Sequence, residues 1–265
     1  MTKQEQYIHS HRIFHRKISF AQIGLFAIFL ILWEISAKTK LIDSFFFCSP
    51  SIVANCFWEM LIGRSLFMHL GYSLFEIFIS FFLIFAFSFG IAVVLWYFNM
   101  LSRILEPFLV VLNALPKSAL APLFIVWIGT GTKTIIVAGM SVALFGSIIN
   151  LYSGFKGTDM EKILLIKTLG GDKLDVLSKV VIPSSIPNII SVMKVNIGLA
   201  LVGVIIGEFF AGRRGLGYLI IYGTQVFQLD MVLTSIIILC VLAMVLYKLV
   251  QLLEHFYLKH ATLTR

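Results

Sequence analysis

Long uncharged runs of hydrophobic residues recur along this chain. Residues 77–102 and 134–155 contain no charged residue at all. A helix that spans a bilayer requires about 20 mostly apolar residues, and these runs are long enough to cross a membrane. The pattern predicts six spans, over residues 18–33, 77–102, 107–129, 134–155, 190–210 and 231–250. An even number of spans places both termini on the same side of the membrane.

The composition is also that of a membrane protein. Hydrophobic residues make up 59% of the 265 residues and charged residues only 13%, whereas soluble domains carry about 25% charged residues. Too few polar residues remain to cover the surface of a soluble domain of this length. This excludes a soluble enzyme, a nucleic-acid-binding module and a disordered chain. We therefore expect an all-α, multi-pass protein in a lipid bilayer, with no nucleic-acid partner.

The net charge of +8 is explained by the orientation in the membrane. With the N-terminus in the cytoplasm, the cytoplasmic segments hold twelve Lys and Arg residues and the outer segments hold six, which agrees with the positive-inside rule. Arg213 and Arg214 are a local exception on the outer side. Both termini are then cytoplasmic, with residues 1–17 as a polar cytoplasmic segment and 18–265 as a single transmembrane domain. Residues 18–33 are expected to be a retained signal-anchor helix, because no small-x-small cleavage site follows them.

Motifs for catalysis or for nucleotide binding are missing from the sequence. It contains no P-loop, no nucleophile elbow and no HExxH. Its three cysteines, Cys48, Cys56 and Cys240, are scattered without metal-ligand spacing. We therefore expect a chain that is not an enzyme by itself and that holds no metal or cofactor. If it uses ATP, another subunit must bind and hydrolyse it.

The hydrophilic stretch 156–183 is the one long loop predicted on the cytoplasmic side. Apolar residues recur at helical spacing before the Gly170–Gly171 pair, and a second helical segment follows over 174–181. The first helix would expose an apolar face of Leu164, Leu165 and Leu169, which is costly in water and typical of a surface that docks on a partner. Gly170 is expected where the helix must turn, at a position that needs either positive φ or close contact with the backbone.

This loop resembles the coupling loop of permease subunits of bacterial ABC importers. Those permeases carry E-A-A, three residues, G, nine residues, I-x-L-P. In this chain nine residues separate Gly170 from Val180, and Pro183 ends the pattern. The E-A-A itself reads Leu164–Leu165–Ile166, and Glu161, one turn earlier, is a candidate to replace the missing glutamate. The residues matched to the coupling loop are Asp159, Glu161, Leu164, Leu165, Ile166, Lys167, Thr168, Leu169, Gly170 and Pro183.

Three further segments narrow the resemblance to one branch of these permeases. They are CSPSIV before the second span, LPKSALAPLFIVWIGTGTKT in the third, and GEFFAGRRGLGYLI after the fifth. Together they resemble the nitrate/sulfonate/taurine-type permeases, whose relatives include permeases for thiamine precursors and riboflavin. The resemblance covers about residues 45–255. It implies a type I ABC importer permease that works as a homodimer, with two cytoplasmic ATPases that bind the ATP and a substrate-binding protein on the outer face.

Lys117 and Glu208 are candidates for the translocation pathway. Charges inside a span are costly and often functional, so Lys117 could contact an anionic substrate. It could equally follow a helix break at Pro116 and snorkel or pair with a carboxylate. Glu208 could form part of an outer gate or pair with Arg213 or Arg214. Glu76 is expected to be interfacial, and the Gly215–Leu216–Gly217 segment is expected to be a simple external turn.

The predicted function is that of the permease subunit of an ATP-driven importer in a bacterial inner membrane. Its substrate would be a small solute such as a sulfonate, taurine, nitrate or a thiamine precursor. One alternative is a self-sufficient secondary transporter or channel, which would show inverted repeats or several carboxylates at mid-membrane. Another is a permease of the methionine or metal importer type, which shares the loop pattern but lacks the GRRGLGYL segment.

Overall fold

The chain folds into helices joined by short connections. A computed structural model describes residues 18, 21, 22, 24, 25, 27–39, 41 and 47–263, with side chains as far as residue 252. No β-strand occurs among these described residues. From residue 50 onward the helices are α1 (Pro50–Ile62), α2 (Ser65–Tyr97), α3 (Asn99–Ala114), α4 (Lys117–Ile128), α5 (Thr132–Lys156), α6 (Met160–Thr168), α7 (Lys173–Val176), a π-helical turn (Leu177–Val181), α8 (Ile182–Ala211), α9 (Leu216–Gln225) and α10 (Leu229–Leu263).

Four helical segments of the described chain are long and apolar enough to cross a membrane. They are α2, α5, the continuous run Lys173–Ala211 and the Leu229–Leu252 part of α10. The predicted spans 134–155, 190–210 and 231–250 each lie inside one of them and are confirmed. The described part of the first predicted span is helical, including residues 27–33, whereas the predicted segment 1–17 lies outside the described residues. The cytoplasmic location of both termini stays a prediction.

The third predicted span, 107–129, is not one straight helix. It is divided between α3 and α4, whose axes meet at 96°. The chain leaves the helical conformation at Leu115, where ψ is 140°, because the residue before a proline is disfavoured in the helical region. Pro116 then starts α4. This pair forms a bent span or a re-entrant element.

The second predicted span, 77–102, is shifted along the chain. The helix starts at Ser65 and ends at Tyr97, before a break at Phe98. Glu76 therefore lies well inside α2 instead of at its start, and its side chain is only 2% exposed. The expectation of an interfacial Glu76 is wrong, because the apolar run that defined the span excluded the polar residues on the buried face of the same helix.

Close approach of glycines holds α2, α5 and α8 together. A Cβ on Gly203 of α8 would lie 2.8 Å from the Cα of Gly139 in α5, and a Cβ on Gly139 would lie 2.6 Å from the Oγ of Ser80 in α2. Small residues at a helix interface let the backbones meet, and in a membrane such packing replaces the hydrophobic driving force. α5 and α8 are also the helices that enter and leave the 156–183 loop. Their contact therefore connects that loop to the far end of the bundle.

Candidate coupling loop and buried carboxyl cluster

The first helix of the loop, α6, is capped at both ends by its own residues. The Asp159 side chain accepts a 3.0 Å hydrogen bond from the Glu161 N–H, and an acidic N-cap also suits the helix dipole. At the other end Gly170 donates to the Lys167 carbonyl and Gly171 to that of Ile166. This is a Schellman motif with Gly170 at φ +82°, as expected from the sequence.

The two faces of α6 differ in their surroundings. Ile163 and Ile166 pack against the apolar cluster that contains Phe155 and Val176. Leu164, Leu165 and Leu169 point outward and are 53%, 59% and 75% exposed. We call these three leucines the leucine patch. The structure thus separates Ile166, which faces the body of the protein, from the two leucines that precede it in the E-A-A position.

Several of the remaining matched residues of the loop are exposed, like the leucine patch. Glu161 is exposed one helical turn before Leu164 and Leu165, on the same side of α6. Lys167, Thr168 and Pro183 are also exposed. Thr168 donates a hydrogen bond to the Leu165 carbonyl, within its own helix. An acidic group therefore borders the exposed apolar surface, at the place where the sequence lacks the usual glutamate.

The second helix of the loop is fastened to the end of α2. Asp172 and Asp175 form a capping box at the start of α7. The Lys179 ammonium lies 2.6 Å from the Asp175 carboxylate, four residues earlier in the chain. Lys173 lies over the rings of Trp96 and Tyr97 and donates to the Tyr97 carbonyl. The loop is thereby anchored on the C-terminal side of α6.

Lys117 closes the break between α3 and α4. Its Nζ donates hydrogen bonds of 2.8 Å to the Leu112 carbonyl and 2.6 Å to the Asn113 carbonyl. These are carbonyls of the last turn of α3, which have no partner within the helix, and a cation there also suits the helix dipole. The partners of Lys117 are thus backbone carbonyls, not the carboxylate considered in the sequence analysis.

A second set of polar residues lies at the opposite end of α8 from the loop. Glu208, only 1% exposed, accepts a 2.6 Å hydrogen bond from the Ser73 hydroxyl and a 2.5 Å bond from the Gly217 N–H. Ser73 in turn accepts from the Leu216 N–H at 2.8 Å. The carboxyl of Glu76 lies within hydrogen-bonding reach of Glu208. We call Ser73, Glu76 and Glu208 the carboxyl cluster.

The segment after α8 is shaped around Glu208. Gly215 has φ +111°, and a Cβ there would overlap the Glu208 carboxylate. A Cβ on Gly217 would lie 2.8 Å from the same carboxylate. The Gly215 N–H also donates to His69 Nδ1 at 3.1 Å, so that His69 carries its proton on Nε2. The Gly215–Leu216–Gly217 segment is therefore more than an external turn, because it lays three backbone N–H groups onto α2 and α8.

Sequence reasoning missed most of this cluster. Glu208 was a candidate, but its partners are Ser73 and Gly217, whereas Arg214 lies over the Tyr72 ring and donates to its hydroxyl. The signal was present in α2. Residues 69, 73 and 76 are His, Ser and Glu at spacings of four and three, which places them on one face of a helix. A polar stripe in an apolar helix marks an interface inside the protein.

Comparison with known proteins identifies the family. Residues 83–258 match the family described as binding-protein-dependent transport system inner membrane component. The chain belongs to this family. The match includes the 156–183 loop and Glu208 but not Ser73 or Glu76. The protein is a multi-pass inner-membrane protein with the fold of an ABC importer permease, as the sequence predicted.

Curated relatives and solved structures agree with this assignment. The chain is 28% identical to an ABC transporter permease protein of Haemophilus influenzae, over 86% of this chain and 92% of the relative. It is 27% identical to an aliphatic sulfonates transport permease protein of Bacillus subtilis, over 88% and 84%. Other relatives are named for riboflavin, formylaminopyrimidine and taurine transport. The structure of the MetNI methionine ABC transporter in inward-facing conformations aligns with a TM-score of 0.61 at 18% identity, covering 76% of this chain and 95% of that one, and shows the shared fold.

Proposed function

We propose that this permease moves a small solute into the cytoplasm. The ATP for this transport is bound and hydrolysed by a separate ATPase subunit that docks on the coupling loop. The observation that carries the proposal is the leucine patch. Three leucines stay exposed on α6, although its opposite face packs against the rest of the protein and both its ends are capped. An exposed apolar patch on a firmly anchored helix is a docking surface, and motion of the partner there would be transmitted to α5 and α8.

The assembly we propose contains two copies of this chain and two ATPases. A substrate-binding protein delivers the solute at the opposite face of the membrane, which the family name supports. The chain itself needs no cofactor in this scheme.

For the substrate, we propose the sulfonate, taurine, nitrate and thiamine-precursor class. The support is the set of relatives named for sulfonate, taurine and formylaminopyrimidine transport. Arg213, exposed after α8, also favours an anion. The likeness to a methionine transporter is a likeness of fold, so it gives no support for methionine as the substrate.

The test is purification of the tagged chain from native membranes in mild detergent, with mass spectrometry of the proteins that accompany it. We expect a nucleotide-binding subunit with the wild type and its loss with Leu165→Asp in the leucine patch. Leu174→Asp is the matched control, because Leu174 is equally exposed in the same loop but lies on α7. Recovery of wild-type chain alone, as an intact oligomer, would instead support a self-sufficient transporter.

The substrate is tested separately, after reconstitution with the binding protein that accompanies the complex. Uptake of labelled taurine, an alkanesulfonate, nitrate and a thiamine precursor is measured with and without ATP. We expect ATP-dependent uptake of one of these four. Uptake of methionine alone would exclude the proposed substrate class while leaving the ATPase proposal intact.

A further inference from the structure

We propose that Glu76 and Glu208 form a proton-binding site in which the two carboxyl groups hold one proton between them and carry a single negative charge. The site lies where α2 meets α8, at the end of α8 remote from the coupling loop. The two side chains are 2% and 1% exposed, and their carboxyl groups lie within hydrogen-bonding reach of each other. Two carboxylates cannot accept hydrogen bonds from each other without a proton between them.

Glu208 is surrounded as a carboxylate would be. The Ser73 hydroxyl donates to Oε1 at 2.6 Å, and the Gly217 N–H donates to Oε2 at 2.5 Å. The Tyr218 N–H also lies close to this carboxylate. Short bonds from several donors are typical of an ionised acceptor. Glu208 therefore carries the negative charge of the pair.

Glu76 is surrounded as a protonated acid would be. Its Oε2 is buried and receives no hydrogen bond from the described residues. Apart from Glu208, the polar side chain within its reach is that of Thr132, at the start of α5. A buried oxygen without a donor is costly for an ionised carboxyl. A proton on Glu76 removes its charge and provides the O–H that donates to Glu208.

The charged and titratable groups around the pair do not supply a counter-ion. On α2, His69 accepts from the Gly215 N–H and is therefore neutral. After α8, Arg214 is engaged with Tyr72. From α9, Tyr218 stacks on His69 with ring centroids 6.1 Å apart. At the start of α5, Lys133 points outward and is exposed. Neither glutamate takes part in the ion pairs of the described residues.

The proton would decide whether the segment after α8 stays closed on α2. Glu208 and Ser73 hold the N–H groups of Gly217 and Leu216. Loss of the proton would place two negative charges in contact in a buried site, and the favourable response is to separate α2 from α8 or to admit water. The site therefore fastens this end of the bundle in a way that alkaline pH weakens. This inference concerns packing within the chain and is independent of the proposed ATPase and substrate.

Infrared spectroscopy of the full chain in lipid nanodiscs tests the proposal directly. At neutral pH we expect the C=O band of a protonated carboxyl that shifts in D2O, that disappears on alkaline titration and that is absent from Glu76→Gln. Glu59→Gln, at an exposed position of α1, is the matched control and retains the band. A wild-type spectrum without such a band would overturn the proposal, and so would its retention in Glu76→Gln. If Glu76→Gln does not fold, alkaline titration of the wild-type band decides by itself.

Thermal unfolding against pH provides a second readout. We expect the wild-type unfolding temperature to fall as the pH rises through the range in which the infrared band disappears, because loss of the shared proton places two negative charges in contact. The unfolding temperature of Glu76→Gln should stay constant over that range. A wild-type midpoint that follows Na⁺ or K⁺ concentration at fixed pH would show a bound metal cation instead and would overturn the proposal.

Discussion

Ser73 and Glu208 lie 135 residues apart in the sequence and share a 2.6 Å hydrogen bond in the buried contact between α2 and α8. The same Ser73 oxygen accepts the Leu216 N–H. One hydroxyl thus joins two helices and the segment that follows the second of them. It does so with both its donor and an acceptor site in use.

Replacing Ser73 by alanine should therefore leave two buried groups without a partner, the Glu208 oxygen and the Leu216 N–H. We expect a loss of about 1–3 kcal/mol in the free energy of unfolding, measured by denaturant titration of the purified permease. Ser88→Ala is the control on the same helix. Ser88 is equally buried, but its hydroxyl bonds only to a carbonyl of its own helix. Equal stability losses in the two variants would contradict the role given to Ser73.

Gly215 is the second point at which the carboxyl cluster can be tested. Gly215→Ala combines a positive φ of +111° with overlap between the new methyl group and the Glu208 carboxylate. We expect a lower unfolding temperature and faster proteolytic cleavage between α8 and α9. Gly71→Ala in α2 is the control, since a Cβ there meets no atom within 4 Å and alanine favours a helix. A Gly215→Ala protein as stable as the wild type would show that this segment can move away from Glu208.

Substitutions at Gly170 test whether the turn at the end of α6 is needed to couple ATP hydrolysis to uptake. Gly170→Pro cannot adopt φ +82° and loses the N–H that bonds to Lys167, so α6 should lose its C-terminal turn. We expect a correctly inserted permease whose associated ATPase still hydrolyses ATP but no longer drives uptake. Gly170→Asn is the control, because asparagine tolerates this conformation best after glycine. Normal uptake by an inserted Gly170→Pro variant would show that the turn is not needed for coupling.

A substitution at Lys117 tests whether this residue stabilises the end of α3 or contacts the solute in the translocation pathway. Because its ammonium caps α3 through two carbonyls, Lys117→Met should lower the free energy of unfolding by about 1–3 kcal/mol with little change in the KM for uptake. Lys133→Met removes an exposed cation at the start of α5 and serves as the control. A Lys117→Met protein of normal stability with a much higher KM for an anionic solute would place this residue in the translocation pathway.

How far the sequence predicted the structure can be judged from α6 and α2. Around Gly170 the local signals agree with one another, since Asp159 caps, the leucines repeat at helical spacing and the glycine permits the turn. The loop could therefore be predicted in detail. In α2 the apolar run from residue 77 concealed His69, Ser73 and Glu76, because their partners lie far along the chain. Long-range contacts of this kind leave only their spacing in the sequence.

The break at Leu115 could be predicted only in part. Pro116 and Lys117 indicated an interruption of the third span, but not that the helix axis turns by 96°. The size of the turn depends on how α3 and α4 pack on α5, and no local sequence pattern encodes it. The same is true of Lys117, whose carbonyl partners exist only because the helix ends there.

The contact between Gly139 and Gly203 leaves no layer of side chains in which α5 and α8 could slide past each other. A displacement applied at the coupling loop would then reach the Glu208 end of α8 almost undiminished, over the 30 residues of that helix, or about 45 Å at 1.5 Å per residue. The two helices would move as one rigid unit, and the bending that transport requires would occur in the segments next to them. Those segments are the bend at Leu115, which Lys117 bridges, and the chain after Gly212, which would move only when its hydrogen bonds to the carboxyl cluster are released.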